Sequence, residues 1–349
     1  MKKNIIVFLI LIIVGVAVAV LFGDKFLSQP EETAVINNIQ IEAPLPEKEP
    51  ETVAINPPQV DSERLFADVQ KLSFQRFTDS ERRRTRDYIT KELKKLGWEP
   101  ALEEFPTGVN VFTEKQGRDR NAGAILIAAH YDTVFNSPGA DDNASGVAVL
   151  LEIARLFGSS STPRTLQLAF FDKEEAGLLG SRAFVNNPAR LENLRGVIVL
   201  DMVGYACYTS GCQKSPSGLP ITPISDKGDF LAVVGDMEHL PLINAFKNVE
   251  NVENNINNFS KLPPVFTLPV PLKGVFTPDV LRSDHAPFWL QGIGALLVTD
   301  TANLRSSYYH QPSDIPANIE RDFFTGAAQL IVNVTDSLLQ GSGSLATPN

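Results

Sequence analysis

Cysteine is almost missing from this 349-residue chain: it has only Cys207 and Cys212. That pair by itself lacks two of the four ligands of a cysteine-built zinc site. Five positions apart in Cys-Tyr-Thr-Ser-Gly-Cys, the two suit a short disulfide loop in an exported protein. An excess of positive charge is missing too. The net charge of −10 carries no basic stripe to offset it, which excludes nucleic acid as a main partner. The densest basic cluster, Arg82-Arg83-Arg84-Thr85-Arg86, falls in a helix opened by Asp79 and is expected to be a solvated face. No internal repeat is present. Long apolar runs are absent but for one, the 18 uncharged residues Ile5–Phe22 behind Lys2 and Lys3.

That run reaches the lower limit for a membrane helix and is long for a signal-peptide core. Residues 1–27 are therefore expected to be an N-terminal anchor, with Ala17-Val18-Ala19 as a cleavage site if the segment is a removed signal instead. The preceding lysines keep the N-terminus in the cytoplasm and send the rest out, so the folded part is expected to be extracytoplasmic. Residues 28–60 are rich in Pro and Glu and read as a disordered spacer. Residues 61–341 are expected to form the folded domain, and 342–349 a flexible tail.

Within the domain, helical periodicity covers Arg64–Gln75 and Ser80–Leu96, the latter closed by Gly97. Gly123–His130, Leu166–Phe171, Val197–Met202, Phe230–Val234 and Ala295–Thr299 read as strands. Ala144–Phe157, Gly177–Val185 and Ile319–Leu339 read as helices. Such alternation predicts an α/β fold, a mixed and mainly parallel twisted sheet with helices on both faces. Lys247–Pro278, rich in Asn and Pro, is expected to be a long loop at the rim of the site.

Five groups suited to metal lie just past predicted strands or in the turns after them: His130, Asp142, Glu175, Asp201 and His310. Open α/β sheets gather ligand sites there. Two imidazoles and three carboxylates form a mixed N/O set suited to zinc-like ions. Asp132, two residues past His130, is placed to accept the second ring N–H of that histidine and so orient it. Glu174 precedes Glu175. Adjacent side chains diverge, which leaves Glu174 free to act as a base beside a metal-activated water. Taken singly, Asp142 equally suits a helix cap and the paired glutamates a helix first turn. His285 suits a supporting, substrate-facing or capping role, with direct metal ligation as a further alternative, and His239 a surface position.

The segments Ala129-His130-Tyr131-Asp132, Gly139-Ala140-Asp141-Asp142-Asn143-Ala144-Ser145-Gly146, Glu174-Glu175-Ala176-Gly177, Leu200-Asp201-Met202 and Tyr309-His310 together resemble the secreted bacterial di-zinc aminopeptidases of the aminopeptidase Y family. The resemblance runs from about Asp61 to Leu339. It implies two zinc ions bridged by Asp142, with His130 and Asp201 completing one site and Glu175 and His310 the other. It further implies peptide substrates, Glu174 as general base and acid, Tyr309 as stabiliser of the oxyanion, and a cis peptide at Asp142–Asn143. Relatives of that family with other activities define the rivals: a single-zinc glutaminyl cyclase, a carboxypeptidase, or a non-catalytic ectodomain that has lost its ligands. The complete ligand set favours hydrolysis. A carboxypeptidase needs a cation for the terminal carboxylate, and the sequence places neither Arg282 nor any other basic residue there.

Overall fold

The computed structural model describes residues 58–215, 225–255 and 262–348. The candidate membrane segment and most of the 28–60 spacer lie outside the described residues. No described helix is long and apolar enough to cross a membrane.

The chain opens with helices α1 (Ser62–Leu72) and α2 (Asp79–Lys95), then forms strands β1 (Ala101–Phe105), β2 (Gly108–Lys115) and β3 (Ala124–His130). Helix α3 (Gly146–Phe157), strand β4 (Thr165–Phe171), helix α4 (Leu179–Val185) and strand β5 (Leu194–Leu200) follow. Next come β6 (Leu231–Asp236), α5 (Leu240–Asn255), β7 (Val265–Val270), α6 (Ala286–Leu290), β8 (Ala295–Thr299) and α7 (Arg321–Gln340). The helix starts are specified locally. Asp61 accepts the N–H groups of Glu63 and Arg64, and Thr78 and Glu81 form a reciprocal capping box at the head of α2.

Eight strands make one sheet in the order β1-β2-β4-β3-β5-β8-β6-β7. The centre β4-β3-β5-β8 is parallel, β6 runs antiparallel to β8, and the β1-β2 hairpin is antiparallel to the rest of its edge. β3 is buried along its whole length. Its alternate residues serve opposite faces: Ile125, Ile127 and Ala129 join a core with α1, α3, α5 and α7. Ala124, Leu126 and Ala128 join a second core with Phe184 of α4 and with Phe288 and Trp289 of α6. Full burial of each Ile or Leu contributes about 2 kcal/mol, so the two-sided centre is the stable frame on which the strand ends are held.

Four expectations are corrected. Lys247–Pro278 is not one loop: its first part continues α5, anchored by the buried Leu242, Ile243 and Phe246, and β7 follows. The 342–348 segment, expected to be flexible, is fastened down. Leu345 packs on the core, and Thr347 donates its N–H to the Glu238 carbonyl at 2.7 Å while its hydroxyl accepts the Leu240 N–H at 3.0 Å. The arginine cluster is only half solvated. Arg82 and Arg86 are buried and reach Asp172, Arg82 Nε at 2.8 Å, whereas Arg83 and Arg84 are exposed. His239 is half-buried, with its Nδ1 2.8 Å from Asp236, because an acid three residues earlier caps the same turn.

Candidate metal centre and active site

Adjacent parallel strands deliver the site. β4, β3 and β5 lie side by side, and their C-terminal ends lead directly to Glu174–Glu175, His130 and Asp201. Asp142 comes from the turn between β3 and α3, and His310 from the loop after β8. These five predicted residues fall into two groups with converging ligand atoms, His130-Asp142-Asp201 and Asp142-Glu175-His310. Asp142 belongs to both. Its Oδ1 lies 3.3 Å from His130 Nε2 and its Oδ2 lies 3.2 Å from His310 Nε2. His130 Nε2 is also 3.5 Å from Asp201 Oδ1, and His310 Nε2 is 3.1 Å from Glu175 Oε2.

The turn that carries Asp142 is tightly specified. Gly139 sits at φ 60°, and a Cβ there would stand 2.2 Å from the Asp142 carbonyl oxygen. The Asp142–Asn143 peptide is cis, as the resemblance implied. Asn143 Oδ1 accepts the N–H groups of Gly146 and Met202, so Asn143 performs the cap and leaves Asp142 free. Asp314 was not anticipated: its two oxygens accept the N–H of Asp141 at 2.9 Å and of Asp142 at 3.0 Å. Arg76 was not anticipated either. Buried, it donates to the carbonyls of Tyr131 (2.7 Å), Pro138 (2.8 Å) and Gly139 (2.9 Å), joining the end of β3 to the Asp142 turn. Asp314 carried a positional signal, lying four residues beyond His310. Arg76 carried none, since its partners are backbone carbonyls.

Asp132 is buried and works twice. Its oxygens accept the Glu174 N–H at 3.0 Å and the Glu175 N–H at 3.3 Å, and Oδ1 stands 3.4 Å from His130 Nδ1. It thus registers the glutamate turn against the histidine. Glu174 is buried and belongs to neither metal group. The Tyr309 ring stacks on His310 with centroids 3.7 Å apart. His285 is fully buried, with Nε2 2.8 Å from the Val280 carbonyl oxygen, and it makes no side-chain cap, so it is neither substrate-facing nor a cap.

The electrostatics fit divalent cations. Four carboxylates, Asp142, Glu174, Glu175 and Asp201, crowd one wall with two imidazoles. Without a cation, burial and then the charge of Asp142 raise Glu175 to about 7. Burial, with Asp201, Asp284 and Glu175 adding to it, raises Glu174 well above the carboxylate range. Burial opposes charging of His310, yet Asp142 and Glu175 lift it to about 10. Glu175 Oε1 is buried with no hydrogen-bond partner. Like charges held this close need either protons or cations, and an N/O donor set of this kind suits zinc.

The site opens into a cavity of about 610 Å³. Phe230, Val234, Leu268 and Leu297 line it from the β8-β6-β7 end of the sheet, on the face that α4 and α6 cover elsewhere. Arg282 and Lys214 also stand in its wall, a placement that the sequence alone did not give.

Residues 110–220 match the model described as peptidase family M28, a stretch containing His130, Asp142, Glu174, Glu175 and Asp201. The uncharacterized protein YfbL of Escherichia coli is 35% identical over 206 residues, covering 54% of this chain and 59% of that one. Aminopeptidase YwaD of Bacillus subtilis is 38% identical over 101 residues, covering 28% of this chain but 22% of its own length. The chain thus spans less than two thirds of either curated relative. An aminopeptidase from Aneurinibacillus sp. strain AM-1 shares the fold at TM-score 0.60 and 16% identity, over 83% of this chain and 97% of that one. A glutaminyl cyclase from Porphyromonas gingivalis does so at TM-score 0.59 and 18% identity, over 80% and 99%. The α/β architecture is common to both, and the motif-bearing strands β3, β4 and β5 lie within the segment that matches peptidase family M28.

Proposed function

We propose that the chain is a zinc-dependent exopeptidase that removes residues from the free N-terminus of peptides. The observation that carries this reading is Asp142, whose two oxygens face two different histidines, with the buried Glu174 beside them in neither group. His130, Asp142 and Asp201 would hold one zinc ion, and Asp142, Glu175 and His310 a second. Bound there, the ions would supply Lewis acidity toward the scissile carbonyl and toward the attacking water. Glu174 accepts the proton of that water and returns it to the leaving amine. Asp132 keeps Glu174 and Glu175 in register through their backbone N–H groups. Tyr309 offers its phenol to the oxygen that gains charge. The Cys207–Cys212 disulfide supports an extracytoplasmic location. Peptide chemistry is further supported by the similarity to a named aminopeptidase.

The test uses the full chain, loaded with zinc, on unblocked and N-acetylated peptides, with Glu174→Gln as control. Release from free N-termini alone, lowered on the order of 10²- to 10⁴-fold in the variant at unchanged zinc content, is the expected result. Release from the C-terminus would make the enzyme a carboxypeptidase. Cyclisation of N-terminal glutamine without hydrolysis would align it with the cyclase that shares its fold. Failure to retain zinc would sink the metal-centre reading altogether.

A further inference from the structure

Arg282 is a cation at the edge of an acidic site. Its Nη2 donates to the Tyr309 phenol oxygen at 3.1 Å and its Nη1 to Asn303 Oδ1 at 3.4 Å. Both partners are neutral, and among the described residues Arg282 makes no ion pair with an acid. A guanidinium has five N–H donors in a planar fork, so most of its capacity, and all of its charge, faces the cavity and solvent. Lys214 lines the same cavity, which adds a second positive charge.

Position narrows the chemistry. Tyr309 stacks on His310, so Arg282 stands about one phenol's length from the metal groups. In a dipeptide, the terminal carboxylate is one residue beyond the cleaved bond, a span of about 3.8 Å. With a hydrogen bond added, that span reaches a guanidinium placed beside the phenol that meets the scissile carbonyl oxygen. Each further residue would carry the terminal carboxylate roughly another 3.5 Å away. We propose that Arg282 binds a carboxylate on the leaving-group side of the cleaved bond, foremost the free α-carboxylate of a dipeptide, which makes short peptides the substrate class. This inference rests on the exopeptidase reading above.

The test compares four substrates on the zinc-loaded full chain: Leu-Gly, its C-terminal amide, Leu-Glu-amide and leucine p-nitroanilide. Wild type is expected to favour Leu-Gly over the amide by about tenfold in kcat/KM, since a site built for a hydrogen-bonded anion rejects the analogue lacking it. Arg282→Gln should bring that ratio close to one, the change lying in KM, and Arg282→Lys should restore part of it. The ratio does not depend on how much of a variant is folded. A preference for Leu-Glu-amide over Leu-Gly-amide, lost in Arg282→Gln, would place the carboxylate on the side chain of the leaving residue and supports the same site. Equal rates on Leu-Gly and its amide in wild type, with no such preference, overturn the proposal. A ratio that survives Arg282→Gln also overturns it. Hydrolysis of the anilide without any carboxylate preference would remove this inference alone; no hydrolysis of any substrate would remove the exopeptidase reading with it.

Discussion

His285 shows how one residue couples burial to pH. Burial lowers its ring to about 4, with the Val280 carbonyl and nearby acids opposing that fall. In the unfolded chain an imidazole charges near 6.5. The folded protein therefore binds fewer protons between those values, and its stability falls as pH drops from about 6.5 to about 4. For this group alone the loss is about 3 kcal/mol. Urea unfolding of wild type and His285→Gln, both with metal chelated, should show their stability difference shrinking by about that amount between pH 7 and pH 4. A difference independent of pH would mean that His285 charges as easily inside the fold as outside it. At this scale the metal-type residues were legible in sequence because chemistry restricts what may follow a buried strand. An acid after Val197–Leu200 or a histidine after Ala124–Ala129 has few structural reasons to be there. Arg76 and the buried pair Arg82 and Arg86 were not legible, since their partners arrive only when distant segments close.

Among the elements, the turn from Gly139 to Ser145 carries the most constraint. Gly139 needs both a left-handed φ and the absence of a side chain, because a Cβ would press on the Asp142 carbonyl and on Thr133. Gly139→Ala is expected to cost at least about 2 kcal/mol, seen as a lower urea midpoint, and to weaken zinc retention through Asp142. Wild-type stability and zinc content in that variant would show the turn to be adaptable. Central strands and the amphipathic helices were readable because their apolar periods are unbroken. Five elements were not: β1, β2, α5, β7 and α6. β1 reads Ala-Leu-Glu-Glu-Phe and is mostly exposed, so an edge strand here lacks the apolar alternation that marks one. β7 contains Pro269, tolerated because the strand ends the sheet. The later half of α5 is polar, and its apolar anchors precede the segment taken as a loop.

For the molecule as a whole, the site's charge opposes its own fold until a cation arrives. Without metal, His310 holds its proton up to about 10, against 6.5 in the unfolded chain. The stability this gives is fully present below about pH 6.5 and is lost as pH rises toward 10. Chelated protein should therefore lose thermal stability from pH 7 to pH 9, while zinc-loaded protein, whose ligands are best deprotonated, should not. Parallel melting curves with and without chelator check this, and equal slopes would refute it. The overall architecture was legible from alternating strands and helices. The fastening of residues 342–348 was not, because Leu345 is the lone large apolar side chain among them.

The clamp of Asp314 on the N–H groups of Asp141 and Asp142 joins positions 173 and 172 residues apart. A growing chain halted before His310 holds one ligand group and an unclamped turn, however well its central sheet has formed. Completion of the centre thus waits on a segment made some 170 residues after the turn it clamps. The paired centre, with Asp142 shared between two groups, therefore exists only once both ends of that long separation have been made and brought together.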